Sequence, residues 1–200
     1  LNFGSSDYTV ELWVNTPNTT STNQSSATQI IGKHTTVSST NSAWVLLHIT
    51  ASKEIRWQAY SGGTSSNISV TIPDNTWVHI AVVKNNDTLK MYKDGVLESE
   101  TTVQGAMNTS TSRTLIGAVN HDGSLDTTNY AQMFNGYIQD VRISKKAVYT
   151  SCFDAPKTFQ ADVEPIPANE PSCGEVALNI QSDTTTETDA IEDISLNAHV

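Results

Sequence analysis

Trp77-Val-His-Ile-Ala-Val-Val-Lys84, Thr88-Leu-Lys-Met-Tyr-Lys93 and Val96-Leu-Glu-Ser-Glu-Thr101 are separated only by Asn85-Asn-Asp87 and by Asp94-Gly95. The runs are built from β-branched, aromatic and apolar residues alternating with polar ones, which suits a pleated, half-buried strand. Asp-Gly between two such runs predicts a two-residue hairpin turn, because that turn needs positive φ and Gly adopts it freely. Three consecutive antiparallel strands are therefore expected over Trp77–Thr101.

The same texture extends in both directions. Tyr8-Thr-Val-Glu-Leu-Trp-Val14 puts Tyr8, Val10, Leu12 and Val14 on one face, with Thr9, Glu11 and Trp13 on the other. Further strands are expected over Gln29–Lys33, Ala43–Thr50, Glu54–Tyr60 and Asn67–Ile72, the last stopped by Pro73. Arg113–Gly117 and Gly136–Ser144 follow downstream. About ten short strands with turns between them specify an all-β fold, a two-sheet antiparallel sandwich, rather than alternating strands and helices.

Composition agrees. Of 200 residues, 37% are hydrophobic and only 16% charged, with Ser, Thr and Asn supplying the polarity that wet strand faces and loops require. A net charge of −10 argues against nucleic acid, whose phosphates need clustered Lys and Arg. No apolar run reaches membrane-spanning length, so no membrane insertion is expected. A start at Leu1 rather than Met reads as a processed chain or a piece of a longer one. Cys152 and Cys173 are the two cysteines. Their spacing leaves open a disulfide, worth roughly 3 kcal/mol if unstrained, or two unpaired thiols, the plainer reading. Residues 1–158 form the expected sandwich and 159–174 a proline-rich acidic linker. Residues 175–200 form a tail that opens with another strand.

Four ordered stretches carry a resemblance: Asp7–Val14, Trp77–Val83, Met91-Tyr-Lys-Asp-Gly95 and Phe134-Asn-Gly-Tyr-Ile-Gln-Asp-Val-Arg-Ile143. Together they resemble the laminin-G-like, concanavalin A-like jelly-roll family. The ending Val141–Pro156 looks most like the versions found in bacteriophage virion proteins. Val176–Asp183 and Asp193–Val200 are similar to the opening of a following module. On that resemblance the chain's own opening strand is missing from its front. Val176–Ile180 is then expected to cover the open sheet edge, in its own sandwich or a neighbour's, since an unpaired edge invites another strand.

The resemblance implies a non-enzymatic structural or adhesive module on a virion surface, in a tail, fibre or capsid decoration. Its expected partners are other virion proteins, further copies of itself and host surface glycan. The alternative is a secreted or cell-surface lectin-like module of a cellular organism, and the minor one a glycoside hydrolase. Hydrolases of this fold carry E-x-D-x-x-E on a strand, which points carboxylates into one cleft. Glu187-Thr-Asp-Ala-Ile-Glu192 has that spacing but stands in a Thr- and Asp-rich stretch outside the module.

The family's first and last strands lie side by side, so Glu11 and Arg142 are expected to form a structural ion pair beside Trp13. Counting by twos places Arg142 on one face with Asp140 and Ile138. Sugar binding in this fold uses rim aromatics, for which Trp44, Tyr60 and Tyr130 are the candidates. No cofactor is required, but calcium is an option through Asp122, Asp126 and Asn129, whose oxygens suit a hard cation. The histidines show no zinc-ligand spacing, and the N-x-[ST] matches at Asn18, Asn23, Asn67, Asn86 and Asn108 are what a Ser/Thr-rich chain produces by chance.

Overall fold

The computed structural model describes residues 1–17, 27–35, 41–103, 105–120, 130–131, 133–156, 176–182 and 191–193. Strands β1 (Tyr8–Asn15), β6 (Trp77–Asn85), β7 (Thr88–Lys93), β8 (Val96–Thr102), β12 (Tyr137–Ser144), β13 (Val176–Ser182) and β14 (Ile191–Asp193) form a seven-stranded sheet. Its order is β14-β13-β12-β1-β6-β7-β8. Strands β2 (Ala27–Lys33), β3 (Trp44–Ile49), β4 (Glu54–Ser61), β5 (Thr64–Thr71) and β9 (Leu115–Ile116) form a five-stranded sheet ordered β5-β4-β3-β2-β9. A two-residue pair, β10 (Val119–Asn120) with β11 (Tyr130–Ala131), completes the set. Every named strand pair is antiparallel, and the architecture is the expected jelly-roll sandwich. No described helix is long and apolar enough to cross a membrane.

The core lies between the sheets. Tyr8, Val10, Leu12 and Val14 of β1 are fully buried there, as alternation predicts. They meet Trp44 and Leu46 of β3 and Ile55 and Trp57 of β4 in one cluster. Its densest part is aromatic: Trp44 and Trp57 stack at 5.3 Å and 16°, and Phe3 stacks on Tyr8 at 4.4 Å. Such rings bury the largest apolar areas available to a side chain.

One register differs from the sequence expectation. Glu11 stands opposite Arg142, but Trp13 stands opposite Gln139. A single residue of β1, Leu12, thus faces two of β12, Asp140 and Val141. This is a β-bulge, and Asp140 takes its positive φ of 52°. Counting by twos across it fails. Ile138 pairs with Val14 and packs on the core, whereas Arg142 faces the opposite side. The bulge lets Val141 and Ile143 stay buried while Gln139 and Arg142 both stand opposite outward residues of β1.

β13 runs antiparallel along β12, with Leu178 opposite Ile143 and Ile180 opposite Val141, and so covers the edge β12 would otherwise present. β14 follows on its far side.

Candidate functional site

The outer face of the seven-stranded sheet has two halves. Residues 145–156 cross the first half as a strap. Thr9 ties its start, donating from Oγ1 to Lys146 O (2.8 Å) and accepting from Val148 N (2.9 Å). Phe153 N donates to Gly95 O at 3.0 Å and ties its end. Between them Tyr149 and Phe153 stack at 3.5 Å, and the pair packs with Ala147 on Ala81, Val83 and Tyr92.

Beneath the strap lies Glu11, 2% exposed. Its carboxylate accepts from Arg142 Nε at 2.6 Å and from Tyr149 Oη at 2.9 Å, and lies 3.1 Å from His79 Nε2. Arg142 Nη2 also donates to the Tyr149 oxygen at 2.8 Å. Burial alone would push the Glu11 carboxyl up. The hydrogen bond to His79 and the charge of Arg142 outweigh it and hold the group below the usual carboxylate range.

The second half is the end where β1 finishes and β6 and β12 begin. Asn15 is the last residue of β1 and stands opposite Trp77 on one side and Tyr137 on the other. Strands two steps apart are separated by roughly 10 Å, yet the rings of Trp77 and Tyr137 have centroids 6.3 Å apart, tilted 46°. The two rings therefore lean toward each other across Asn15. Tyr137 is 68% exposed, the joint highest value among large hydrophobic residues of the described chain. One step inward stand Trp13 and Gln139, followed by His79, whose ring contacts both Trp13 at 5.5 Å and Phe153 of the strap at 5.9 Å. Trp13 Nε1 is buried without a protein acceptor.

Gly136 makes this arrangement possible. A Cβ there would lie 2.5 Å from the Asn15 carbonyl oxygen and 2.6 Å from the Phe134 ring. Only glycine allows the chain to enter β12 so close to the end of β1 and deliver Tyr137 beside it.

The sequence candidates fall elsewhere. Trp44 is fully buried on the inner face of β3, stacked on Trp57, and is a core residue rather than a sugar contact. It faces inward because it alternates with Val45 in a strand buried on both sides. Tyr60 sits half-buried on the other sheet, donating to Gln58 Oε1 at 3.2 Å and stacked at 5.5 Å on His34, whose imidazole burial pushes down to about 4. Tyr130 lies in β11, and its side chain is outside the described residues. The calcium candidates Asp122, Asp126 and Asn129 also lie outside them. Among the described residues no cluster of His, Cys, Asp and Glu is arranged to hold a metal. Cys152 is an exposed free thiol, and Cys173 is outside the described residues. Of the E-x-D-x-x-E match only Glu192 is described, in the edge strand β14.

Sequence reasoning passes over Trp77 and Tyr137 as ordinary strand residues and gives Asn15 to the loop that follows β1. The available signal was position, since each ends or begins a strand and so reaches the rim.

Residues 1–150 match the laminin G model described as the Concanavalin A-like lectin/glucanases superfamily. The chain belongs to this superfamily. No curated protein matches this superfamily member in sequence. Among solved structures it is similar to a candidate carbohydrate binding protein of Bacteroides ovatus, with TM-score 0.60, 16% identity and 96% of the chain covered. It spans 50% of that protein's length. It is also similar to the CBM40 module of the Ruminococcus gnavus IT-sialidase bound to α2,3-sialyllactose, with TM-score 0.53 and 11% identity over 74% of this chain and 80% of that one. The binding domain of botulinum neurotoxin serotype G is a third, with TM-score 0.51 and 17% identity over 74% of this chain and 35% of that one. At these identities the likeness is one of fold.

Proposed function

We propose that this superfamily member is a non-catalytic carbohydrate-binding module whose glycan docks on the aromatic end of the seven-stranded sheet, where Tyr137 is exposed. The observation that carries the proposal is the Trp77–Tyr137 pair leaning across Asn15 at 6.3 Å, with Tyr137 68% exposed. Two tilted rings offer apolar faces to the C–H side of a sugar, and the Asn15 and Gln139 amides offer donors and acceptors to its hydroxyls. The carbohydrate-binding relatives support the reading. So does Glu11, the carboxylate buried in the middle of the same face. Three partners and the strap surround it, which leaves no room for a substrate.

Display on a phage particle, among copies of itself and other virion proteins, remains our proposal for the setting, and host glycan for the ligand. It rests on the resemblance carried by Phe134–Ile143 and Val141–Pro156. The modules of Bacteroides and Ruminococcus favour the second setting, a secreted or cell-surface protein of a cell. Mass spectrometry of purified particles against culture supernatant separates the two.

The binding proposal is tested by titrating glycan against wild type, Tyr137→Ala and Trp77→Ala. Each truncation is expected to lower affinity by about tenfold or more, with an unchanged far-ultraviolet spectrum. Unaltered affinity in both would refute it.

A further inference from the structure

The described groups around the aromatic end carry information about which sugars it takes. Its hydrogen-bonding side chains, Asn15 and Gln139, are uncharged amides. The charges close to it are negative or already matched. Asp94 Oδ1 accepts from the backbone of His79 at 2.9 Å. Asp140 lies at the bulge beside Gln139. Burial pushes its carboxyl up, opposed by the nearby His79.

The cations of this side are committed or distant. Arg142 is bound to Glu11 and Tyr149 beneath the strap. Lys53 is paired with Asp74. Lys93 is bound to Glu98 at 3.2 Å and to the Thr71 carbonyl at 3.4 Å. Lys90 stands opposite Val83, six residues along β6 from Trp77, or roughly 20 Å at the rise of a strand. Lys84 lies further still and is held by Ser5 O at 2.8 Å. Lys145 and Lys146 follow Ser144, which pairs with Thr9 at that same distant end. A separation of about 20 Å is two screening lengths or more at physiological salt, so these lysines do little for an anion at the rings.

An acidic sugar placed on Trp77 and Tyr137 would thus lose its hydration and meet no uncommitted cation among the described residues, in a chain of net charge −10. A neutral sugar meets no such cost. Its C–H face covers the rings, and its hydroxyls exchange water for the two amides.

We infer that the platform selects a neutral pyranose, held through one C–H face, and rejects carboxylated or sulfated sugars. The inference rests on the aromatic end being the glycan site.

Native affinity electrophoresis tests it, with the whole chain run at physiological ionic strength through gels holding neutral polysaccharides (β-glucan, galactan, galactomannan) or acidic ones (polygalacturonate, polysialic acid). Wild type is expected to be slowed at least about threefold more by a neutral gel than by any acidic gel. Tyr137→Ala and Trp77→Ala should abolish the difference, and Gln139→Arg should gain retardation on the acidic gels. Slowing on acidic gels that salt removes and Tyr137→Ala abolishes would overturn the neutral preference and leave the site standing. Slowing on neutral gels that neither truncation alters would overturn the site. No slowing on any gel would overturn both.

Discussion

Tyr149 donates its phenolic hydrogen to the carboxylate of Glu11 across 138 residues of chain, at 2.9 Å. The bond joins the strap to the central strand of the seven-stranded sheet. It also completes the carboxylate's set of partners, since a buried anion with open lone pairs would be costly.

The Glu11 network makes stability depend on acid. The folded carboxyl is held below its ordinary value of 4.5, so the unfolded chain binds the proton more readily than the folded one. Its contribution is complete above about pH 4.5 and is lost as pH falls toward the folded value. Glu11→Ala should cost about 3–5 kcal/mol at neutral pH, because Arg142 is left without its partner. Glu11→Gln should cost less and should flatten the acid limb. Urea unfolding from pH 7 down to pH 3 checks this. Parallel acid limbs in wild type and Glu11→Gln would show that the carboxylate is not stabilised as described.

Gly95→Ala should lift the strap. Gly95 holds φ at 80°, and an added Cβ would lie 1.7 Å from the Phe153 carbonyl oxygen. No small adjustment relieves that overlap. We expect a loss of about 1–3 kcal/mol and new proteolytic cuts within residues 145–156, with the sheets retained. A cutting pattern identical to wild type would mean that the strap is not anchored at this turn.

Gly136→Ala should separate binding from folding. The added methyl meets the Asn15 carbonyl and the Phe134 ring, forcing the start of β12 away from β1 and Tyr137 away from Trp77. Glycan affinity should fall by about tenfold, and the melting temperature by only a few degrees. Full affinity in a folded variant would show that the spacing of the two rings does not matter.

Trp44→Ala should do the reverse. Removing a fully buried indole from the Trp44–Trp57 stack should cost about 3–5 kcal/mol, while the folded fraction binds glycan as wild type does. A selective loss of binding would restore Trp44 as a ligand residue.

Trp44 also shows what limits a reading from sequence. Alternation in Tyr8–Val14 has polar residues on one side, so the buried face is legible, and the core members of β1 follow from it. Ala43-Trp-Val-Leu-Leu-His-Ile49 is apolar at nearly every position because β3 is covered on both sides, and a period of two has no contrast to reveal there. The Glu11–Arg142 contact is legible through the resemblance, which sets the first and last strands side by side. The bulge at Asp140 is not, since nothing in Ile138-Gln-Asp-Val-Arg142 announces an extra residue, and one such residue reverses every face assignment beyond it. The aromatic platform is assembled by three strands from distant parts of the chain, and only their mutual register brings its rings together.

That same register sets a timetable for folding. β1 is made before β6 and β12, between which it sits, so neither of its neighbours exists when it leaves the ribosome. Glu11 and Arg142 are 131 residues apart, which at synthesis rates of about 5–20 residues per second is a wait of roughly 7–26 s. Throughout it Tyr8, Val10, Leu12 and Val14 form an apolar ribbon without a sheet on its β12 side. The nascent chain is at its most adhesive then, and whatever binds extended apolar segments in the cell has those seconds in which to act.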